Sequence, residues 1–485
     1  MSLFDASTWS GNVFTGEWRP GGGDAIAVSN PATGERIGEV GGATVEDVRS
    51  AALRAADAQR AWGAAAPAER AAVLRRAGEL IEAHSGEIVG LVMAESGSIE
   101  AKAGLEVGSC AAECFDAAGL PTAPLGEVLA SNDEHWSFSR RVPAGVVSVI
   151  SPFNFPMLLS MRSVAPALAL GNSVLLKPDP RTPLSGGLVI ARIFELAGVP
   201  AGVLQVLPGG AEVGEAVVVA PEVRVISFTG STRAGRIVGE VAARHLKRAH
   251  LELGGNSALV VLPGADVAAA ASAGAFGSYL HQGQICMATG RHLVHESLVD
   301  EYVAALAEKA AHLPVGDPAS GAVALGPIID DRQVESIAGV IERSVTAGAV
   351  VVAGGTHEGR LFSPTVLTGV TAETPAWNEE IFGPVAPVRS FRTLEEAAEI
   401  VNDSEYGLSV GILGEVGEAM RLADLVHSGK IHINEQTVAD EANAPFGGVG
   451  ASGTGSRFGG HTANIEAFTE TQWVTVRPEI APYPF

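Results

Sequence analysis

The sequence is poor in cysteine, in basic side chains and in long apolar runs, and each shortage argues against a class of protein. Its three cysteines cannot form a disulfide framework, so we expect a reduced, cytoplasmic setting. Lys and Arg number 32 against 55 Asp and Glu, and a formal net charge of −23 argues against a basic surface for nucleic acid. No apolar run approaches the roughly 20 residues of a membrane span, and residues 1–20 show no signal-peptide pattern.

Metal-ligand patterns are also missing. The twelve histidines include no His-Glu-x-x-His motif and no Cys/His ligand cluster, so no metal is predicted. What is present is a chain of 485 residues, 47% of them hydrophobic, which is long enough for two or three packed domains. We therefore expect a globular protein rather than a disordered one.

Short β-branched runs alternate with helical patterns in two stretches of the chain. The first stretch has strand patterns at 146–150, 173–176, 203–207 and 223–228, with helical patterns between them. This alternation predicts βαβ units in a parallel sheet, whose carboxyl edge commonly binds a nucleotide. A second alternation begins at residue 257 and predicts a second α/β domain.

A thiol and a carboxylate stand in glycine-rich surroundings. Cys286 lies at a turn, where backbone amides can favour the thiolate, whereas Cys110 and Cys114 belong to an Ala-rich helical run. Glu252 ends a nearly apolar strand just before Gly254, and burial there would raise its pKa towards that of a general base. Singly, a buried small Cys and a surface Glu are the commoner interpretations; as a pair they suggest a nucleophile and its base.

A third candidate is Asn154, which lies between two aromatic residues and two prolines at the end of a predicted strand. A rigid amide in such a place can donate to a developing oxyanion, which is worth about a hundredfold or more in rate. If the motif stood alone, an Asn that closes a turn would be the better interpretation.

Two glycine-rich turns differ in what they predict. Residues 448–453 match GxGxxG, but a Pro-Phe pair precedes them instead of a strand, which indicates a loop. Gly230 and Ser231 follow a strand and open a helix without the Lys of a P-loop. Their amides could hold a pyrophosphate, or the turn could be structural punctuation.

Seven motifs in a fixed order make the chain resemble the aldehyde dehydrogenase superfamily from about residue 14 to residue 476. They are PFNFP at 152–156, LKP at 176–178, FTGST at 228–232, ELGG at 252–255, GQIC at 283–286, EEIFGP at 379–384 and PFGG at 445–448. The segment 431–441 resembles the benzaldehyde, salicylaldehyde and vanillin dehydrogenase branch.

The resemblance implies an α/β fold with three parts. A Rossmann-type cofactor domain is expected at 1–130 and 142–254, an α/β catalytic domain at 255–455, and a β oligomerisation arm at 131–141 and 456–485. It also implies a homodimer or homotetramer that acts on a small-molecule aldehyde.

The resemblance assigns the catalytic roles. Cys286 attacks the aldehyde, Asn154 and the Cys286 amide hold the oxyanion, and Glu252 activates the water that hydrolyses the thioester. The alternative from another class is a non-catalytic structural or binding relative. Loss of Cys286 or Glu252 would have favoured that alternative, and both are present.

The resemblance also implies cofactor contacts, at Lys177, Gly230, Ser231, Gly254, Glu380 and Phe382. Lys177 and Glu380 are expected to hold the two riboses, Phe382 to pack near the nicotinamide, and Ser231 to meet the pyrophosphate.

The chain departs from the family pattern three residues after the lysine. NAD-specific relatives commonly carry Glu there, whereas this chain has Pro180 followed by Arg181. Because Arg181 could accept a 2′-phosphate, we expect NAD use with appreciable NADP use.

Phe155, Leu159 and Arg162 fall on one face of a predicted helix, at i, i+4 and i+7. The resemblance places this face along the aldehyde tunnel, with Ile285 and Met287 beside the thiol. Such an apolar pocket suits a flat ring, so oxidation of a benzaldehyde-type aldehyde to the acid is predicted. Arg162 could meet a ring hydroxyl or a carboxylate, or form a structural salt bridge. An aliphatic aldehyde with a carboxylate, such as succinate semialdehyde, is therefore the runner-up.

Overall fold

Residues 3–143 form short strands and four long helices. The structure is a computed structural model that describes residues 3–485. The elements of this part are α1 (Ala6–Trp9), β1 (Asn12–Phe14), β2 (Trp18–Pro20), β3 (Gly23–Ser29), β4 (Arg36–Gly42), α2 (Val45–Ala64), α3 (Pro67–Ala83), α4 (Ser85–Ser96), α5 (Glu100–Ala117), β5 (Gly126–Leu129) and β6 (Trp136–Pro143). Helix α2 begins with a capping box between Thr44 and Asp47, and Pro67 occupies the first turn of α3.

Residues 146–252 build the parallel part of a seven-stranded sheet. Its elements are β7 (Val146–Ile150), α6 (Pro156–Ala169), β8 (Ser173–Lys177), a π-helical turn (Leu184–Leu188), α7 (Val189–Ala197), β9 (Leu204–Val206), α8 (Ala211–Val219), β10 (Val223–Thr229), α9 (Thr232–Arg244) and β11 (Arg248–Glu252). The strand order is β11-β10-β7-β8-β9-β1-β2, with the five strands β11 to β9 parallel and β1 and β2 antiparallel at the edge. Strands β7 and β8 are buried along their whole length, as expected of apolar central strands.

Most of the remaining elements form a second domain around a second sheet, and the last helix packs against the first domain. They are β12 (Ser257–Val261), α10 (Val267–Tyr279), β13 (Thr289–His295), α11 (Val299–His312), α12 (Asp331–Thr346), β14 (Val350–Ala353), β15 (His357–Glu358), β16 (Leu361–Phe362), β17 (Thr365–Thr368), α13 (Pro375–Asn378), β18 (Val385–Phe391), α14 (Leu394–Asn402), β19 (Tyr406–Gly407), β20 (Ser409–Leu413), α15 (Val416–Ala423), β21 (Lys430–Ile433), β22 (Val449–Gly450), α16 (His461–Phe468) and β23 (Thr469–Val476). The second sheet has the order β14-β17-β18-β13-β12-β20-β21, and β14 pairs antiparallel at its edge.

A three-stranded antiparallel sheet, β23-β6-β5, projects apolar side chains to the surface. Val128, Trp136 and Trp473 are 92%, 80% and 71% exposed. The predicted domain boundaries remain predictions, and two observations bear on them. Strand β5, which the prediction places in the cofactor domain, pairs with β6 in the three-stranded sheet. Helix α16, which the prediction places in the arm, ends at Phe468, whose side chain is buried in the core of the first domain.

Within residues 3–485, no helix is long and apolar enough to cross a membrane. The same part of the chain holds no group of three or more His, Cys, Asp or Glu side chains placed to bind a metal ion.

Candidate active site

The carboxyl edge of the first sheet gathers most of the residues predicted for catalysis and cofactor binding. Strand β7 ends four residues before Asn154, β8 ends at Lys177, β10 ends just before Gly230, and β11 ends at Glu252. The register pairs Ile150 with Lys177, so neighbouring strands finish level. Because parallel strands end at the same edge of a sheet, residues far apart in sequence meet in one crevice.

Cys286 reaches this crevice from the second domain. It follows the turn Leu280–Gly283, in which His281 and Gln282 take left-handed φ values of 49° and 58°. The thiol is half-buried, and the Cys286 backbone N–H donates to no other described residue. A pocket joins the two domains here, lined by Leu159, Arg162, Ser163, Thr229, Glu252, Leu253, Cys286, Phe446 and Phe458.

The surroundings of Cys286 favour the neutral thiol. Burial, together with the carboxylates of Glu380 and Glu252, raises the pKa of Cys286 to about 12, and Lys430 opposes this shift. The expectation that the turn favours the thiolate is therefore wrong for this structure, because burial and like charge outweigh the backbone amides. A base must take the proton when the sulfur reacts.

Glu252 is buried at the end of β11, as its sequence context predicts. Burial raises the pKa of Glu252 well above its usual value, although the charges of Arg457 and Arg162 and the Gly448 amide counteract part of the shift. Neither carboxylate oxygen has a hydrogen-bond partner of normal geometry within residues 3–485. The side chain is thus a buried acid whose acceptor positions are available to another molecule.

Asn154 is buried, and its amide is only partly engaged. Its Nδ2 donates to the Gln284 carbonyl at 2.9 Å, which leaves a second N–H, and its Oδ1 has no partner in the described part of the chain. The contact ties Asn154 to the turn that carries Cys286. The amide is therefore fixed relative to the thiol and still has a hydrogen to donate.

The residues predicted for the cofactor fit a dinucleotide. Lys177 is buried, yet its ammonium makes no hydrogen bond or ion pair with any residue that the structure describes. Ser231 caps α9, which begins at the same edge of the sheet, and such a helix N-terminus binds phosphate groups. The buried ammonium of Lys177 suits the hydroxyl groups of a ribose. The amides at the start of α9 that Ser231 does not cap suit a pyrophosphate.

The second domain supplies the opposite wall of this crevice. Glu380 accepts a hydrogen bond from the Gly255 amide at 3.0 Å, and burial raises its pKa to about 7. Gly254 lets this carboxylate come close, since a Cβ there would lie 2.0 Å from Glu380 Oε2 and the side chain would have to move. Phe382 packs edge-on against Phe153, with ring centroids 5.8 Å apart.

Comparison with known proteins identifies the family. Residues 18–474 match the aldehyde dehydrogenase family. The chain belongs to this family. It is 61% identical to a vanillin dehydrogenase of Amycolatopsis sp., over 100% of both chains. It is 46% identical to a benzaldehyde dehydrogenase (NAD(+)) of Pseudomonas putida, over 98% of each. The crystal structure of a salicylaldehyde dehydrogenase from Pseudomonas putida G7, complexed with salicylaldehyde, matches with a TM-score of 0.95 at 37% identity, covering 98% of this chain and 99% of that one.

The predicted resemblance and fold class are confirmed by these matches. The chain is an aldehyde dehydrogenase with a Rossmann-type domain and a second α/β catalytic domain.

In this aldehyde dehydrogenase, Arg181 is not free to receive a phosphate. Its guanidinium pairs with Asp179 at 2.8 Å and with Asp330 of the second domain at 2.7 Å. It also stacks over the Phe153 ring, 4.1 Å from the centroid. The sequence predicts a 2′-phosphate acceptor, whereas the structure shows a clamp between the two domains. Pro180 is half-buried and lies between Asp179 and Arg181 in the sequence.

The predicted substrate wall is assembled from both domains. Leu159 and Arg162 line the pocket with Cys286. Ile285 and Met287 are buried in an apolar cluster with Leu408 and Phe446, and Phe155 packs against it. The apolar cluster adjoins the pocket through Phe446, and the pocket lining itself also includes polar side chains.

Arg162 takes the structural role among its two predicted ones. Its Nε contacts Glu113 at 3.1 Å and its Nη2 contacts Asp440 at 2.5 Å. Lys430 also approaches Asp440, at 3.4 Å. Glu113, Arg162, Asp440 and Lys430 form what we call the ionic cluster. Phe446 lies against both of its cations, with Arg162 and Lys430 at 4.7 and 4.8 Å from the ring centroid.

Sequence reasoning missed three members of the ionic cluster, Glu113, Asp440 and Lys430, and two more buried charges, Lys102 and Glu106. A signal for the latter exists in the sequence. Lys102 and Glu106 lie four apart in a helical run that also carries Cys110 and Cys114, and charges on such an apolar face are rarely left unpaired.

Proposed function

We propose that this dehydrogenase oxidises an aromatic aldehyde of the benzaldehyde type to the carboxylic acid. The observation that carries the proposal is the 61% identity, over the whole chain, to a vanillin dehydrogenase. The apolar cluster of Ile285, Met287 and Phe446 beside Cys286 supports it, because an apolar wall suits a ring. The alternative substrate, an aliphatic aldehyde with a carboxylate, would need Arg162 to bind that carboxylate. Arg162 is already paired with Glu113 and Asp440, which argues against this alternative.

In the proposed mechanism, Cys286 Sγ bonds to the carbonyl carbon and its proton passes to Glu252, which lines the same pocket. The carbonyl oxygen becomes an oxyanion that receives hydrogen bonds from Asn154 Nδ2 and the Cys286 amide, both of which have a hydrogen to give. The oxidation would be supplied by the nicotinamide of a bound cofactor, which would take the hydride that the former carbonyl carbon gives up. A thioester on Cys286 remains.

Hydrolysis of the thioester is assigned to Glu252. Glu252 first releases to solvent the proton that it took from Cys286. Its carboxylate then takes a proton from water, the water oxygen bonds to the acyl carbon, and Cys286 Sγ leaves as a thiolate that takes this proton back from Glu252. The raised pKa of Glu252 makes it a stronger base than an exposed carboxylate. The acid produced carries one oxygen from water.

For the cofactor we propose NAD as the preferred nucleotide. Lys177, Glu380, Gly230, Ser231, Gly254 and Phe382 are assigned to hold it. The pairing of Arg181 with Asp179 and Asp330 supports the preference, because a 2′-phosphate would have to displace a carboxylate from the guanidinium. NADP use, expected from the sequence, is proposed to be the weaker activity.

We propose that the chain assembles as a homodimer or homotetramer in the cytoplasm. The exposed Val128, Trp136 and Trp473 of the β23-β6-β5 sheet support assembly, since apolar patches of this kind mark interfaces. The three free cysteines of the described chain support a reducing compartment. Sedimentation velocity giving a single-chain mass, or cell fractionation placing the protein elsewhere, would contradict the respective statement.

A substrate panel tests the proposed function. Benzaldehyde, hydroxybenzaldehydes, vanillin and succinate semialdehyde are each assayed with NAD and NADP by the absorbance of the reduced cofactor. We expect kcat/KM for the aromatic aldehydes to exceed that for succinate semialdehyde by at least about 100-fold, since a carboxylate would enter an apolar pocket unpaired. Cys286→Ala is the control and should show no turnover. Preference for the semialdehyde would overturn the proposal.

A further inference from the structure

A buried ion pair outside the reacting groups holds the segment that carries Asn154. Lys102 and Glu106 lie one turn apart on α5, and both side chains are fully buried. Their charged atoms are 2.6 Å apart. Burying such a pair is costly unless further hydrogen bonds satisfy it, so its remaining contacts show what it stabilises.

Lys102 contacts the backbone of the oxyanion segment directly. Its Nζ donates to the Asn154 carbonyl at 2.6 Å and lies 4.0 Å from the centroid of the Phe155 ring. The ammonium thus has three partners: a carboxylate, a carbonyl and a ring face. Two of them are consecutive residues at the start of α6.

Glu106 holds the other side of the same segment. The cap residue of α6, Phe155, has no side chain that can accept a hydrogen bond. Glu106 supplies the missing acceptor from about 50 residues away, since its Oε1 accepts from the amides of Met157 at 2.8 Å and Leu158 at 3.3 Å. The negative carboxylate also favours the positive end of the helix dipole.

The segment between these contacts is Asn154 to Pro156. The ion pair fixes it from one side through the Asn154 carbonyl and from the other through the first amides of α6. The Asn154 side chain then reaches the Gln284 carbonyl in the turn before Cys286. We propose that Lys102 and Glu106 are positioning residues that set the place of the Asn154 amide. This rests on the role of Asn154 in the proposed function.

The proposal is tested with Lys102→Met/Glu106→Gln. This double variant leaves no unpaired buried charge and keeps an acceptor for the α6 amides, but it removes the donor to the Asn154 carbonyl. We expect the single-turnover rate of NADH formation to fall roughly 10- to 100-fold, because displacement of a catalytic group by about 1 Å costs this much. KM for the aldehyde and for NAD should stay within about threefold.

The decisive readout is the same change made in the Asn154→Ala background. If the pair acts through the amide, it should lower the rate less than about twofold there, because the effects of coupled residues do not add. An equal loss in both backgrounds would overturn the proposal. A normal rate for Asn154→Ala alone would instead refute the role of Asn154 in the proposed function, so the two failures are distinguishable.

Two further variants guard against a purely structural effect. Arg70 is a matched control, since it is buried and donates to the Ala169 carbonyl at the opposite end of α6. Arg70→Met should lower stability and leave the single-turnover rate within about twofold. If the double variant does not fold, Lys102→Arg keeps both charges while moving the donor. It should lower the rate by about two- to tenfold, again only when Asn154 is present, and an unchanged rate would overturn the proposal.

Discussion

Two groups of buried polar side chains lie beside Cys286, and they differ in how completely they are paired. In the catalytic group, the Glu252 carboxylate and Asn154 Oδ1 have no hydrogen-bond partner of normal geometry among residues 3–485. In the ionic cluster, every charge has an opposite charge within 3.4 Å. An unpaired buried polar atom costs about 1–3 kcal/mol, which is tolerated where a substrate or water will complete the contacts. The unpaired group should therefore control rate, and the paired group should control stability.

Glu252→Gln should give the largest effect, because it changes the unpaired carboxylate of the catalytic group and so tests whether this group controls rate. We expect kcat to fall at least about 10³-fold, because a neutral amide cannot take a proton from water. Acyl-enzyme should accumulate and be detectable as a thioester on Cys286 by mass spectrometry. The melting temperature should stay equal or rise, since a buried carboxylate is removed. Glu335→Gln, an exposed carboxylate on α12, is the control and should change neither quantity.

The pH dependence sharpens the same assignment. Because burial raises the pKa of Glu252 well above its usual value, the side chain ionises at a higher pH than an exposed carboxylate does. Only the ionised form accepts a proton, so deacylation should become faster with rising pH. Absence of any such rise in single-turnover deacylation, or no trapped thioester in the variant, would count against Glu252 as the base.

Arg162→Met tests the paired group. Removing the guanidinium leaves Glu113 and Asp440 buried without their main partner, which should lower the free energy of unfolding by about 3–5 kcal/mol. Urea unfolding measures this loss. The matched control is Glu113→Gln/Arg162→Met, which removes one charge of each sign, leaves Asp440 paired with Lys430 and should recover most of the stability. If Arg162→Met were as stable as the wild type, the ionic cluster would not stabilise this part of the protein.

Asn154→Ala should have a smaller effect, and mainly on rate. Loss of one oxyanion donor typically lowers kcat by about 10²-fold, whereas the lost bond to Gln284 should cost only about 1 kcal/mol of stability. Asn172 is the matched control, because it is buried and its side chain bonds to backbone groups far from Cys286. Asn172→Ala should lower stability more and kcat less. The reverse pattern would remove Asn154 from the proposed mechanism.

The sequence predicts the unpaired group better than the paired group, for a physical reason. Asn154, Lys177 and Glu252 each follow or end a strongly apolar strand, and parallel strands end at one edge of a sheet. Strand patterns are local, so these positions can be read from short windows of sequence. The two α/β units were predictable in the same way.

The paired group depends on contacts that no local pattern records. Arg162 and Asp440 are 278 residues apart, and Asp440 lies in the loop between β21 and β22. Whether Arg162 meets a substrate or a carboxylate is decided by where that loop packs. The same applies to Arg181, whose partner Asp330 is 149 residues away in the other domain.

Arg181→Met is the smallest expected effect and tests whether pairing decides cofactor choice. The Arg181–Asp330 pair is partly exposed, with side chains 39% and 31% accessible, so its share of the stability loss should be less than about 1 kcal/mol. Loss of the pair with Asp179, which is 15% accessible, adds to this share. If the guanidinium stays on its carboxylates, the ratio of kcat/KM for NADP to that for NAD should change less than about threefold. A selective loss of tenfold or more with NADP would mean that Arg181 leaves Asp330 to bind the 2′-phosphate. Because little free energy opposes the opening of a pair this exposed, the cofactor ratio of this variant separates the phosphate-binding role expected from the sequence from the ion pairing seen in the structure.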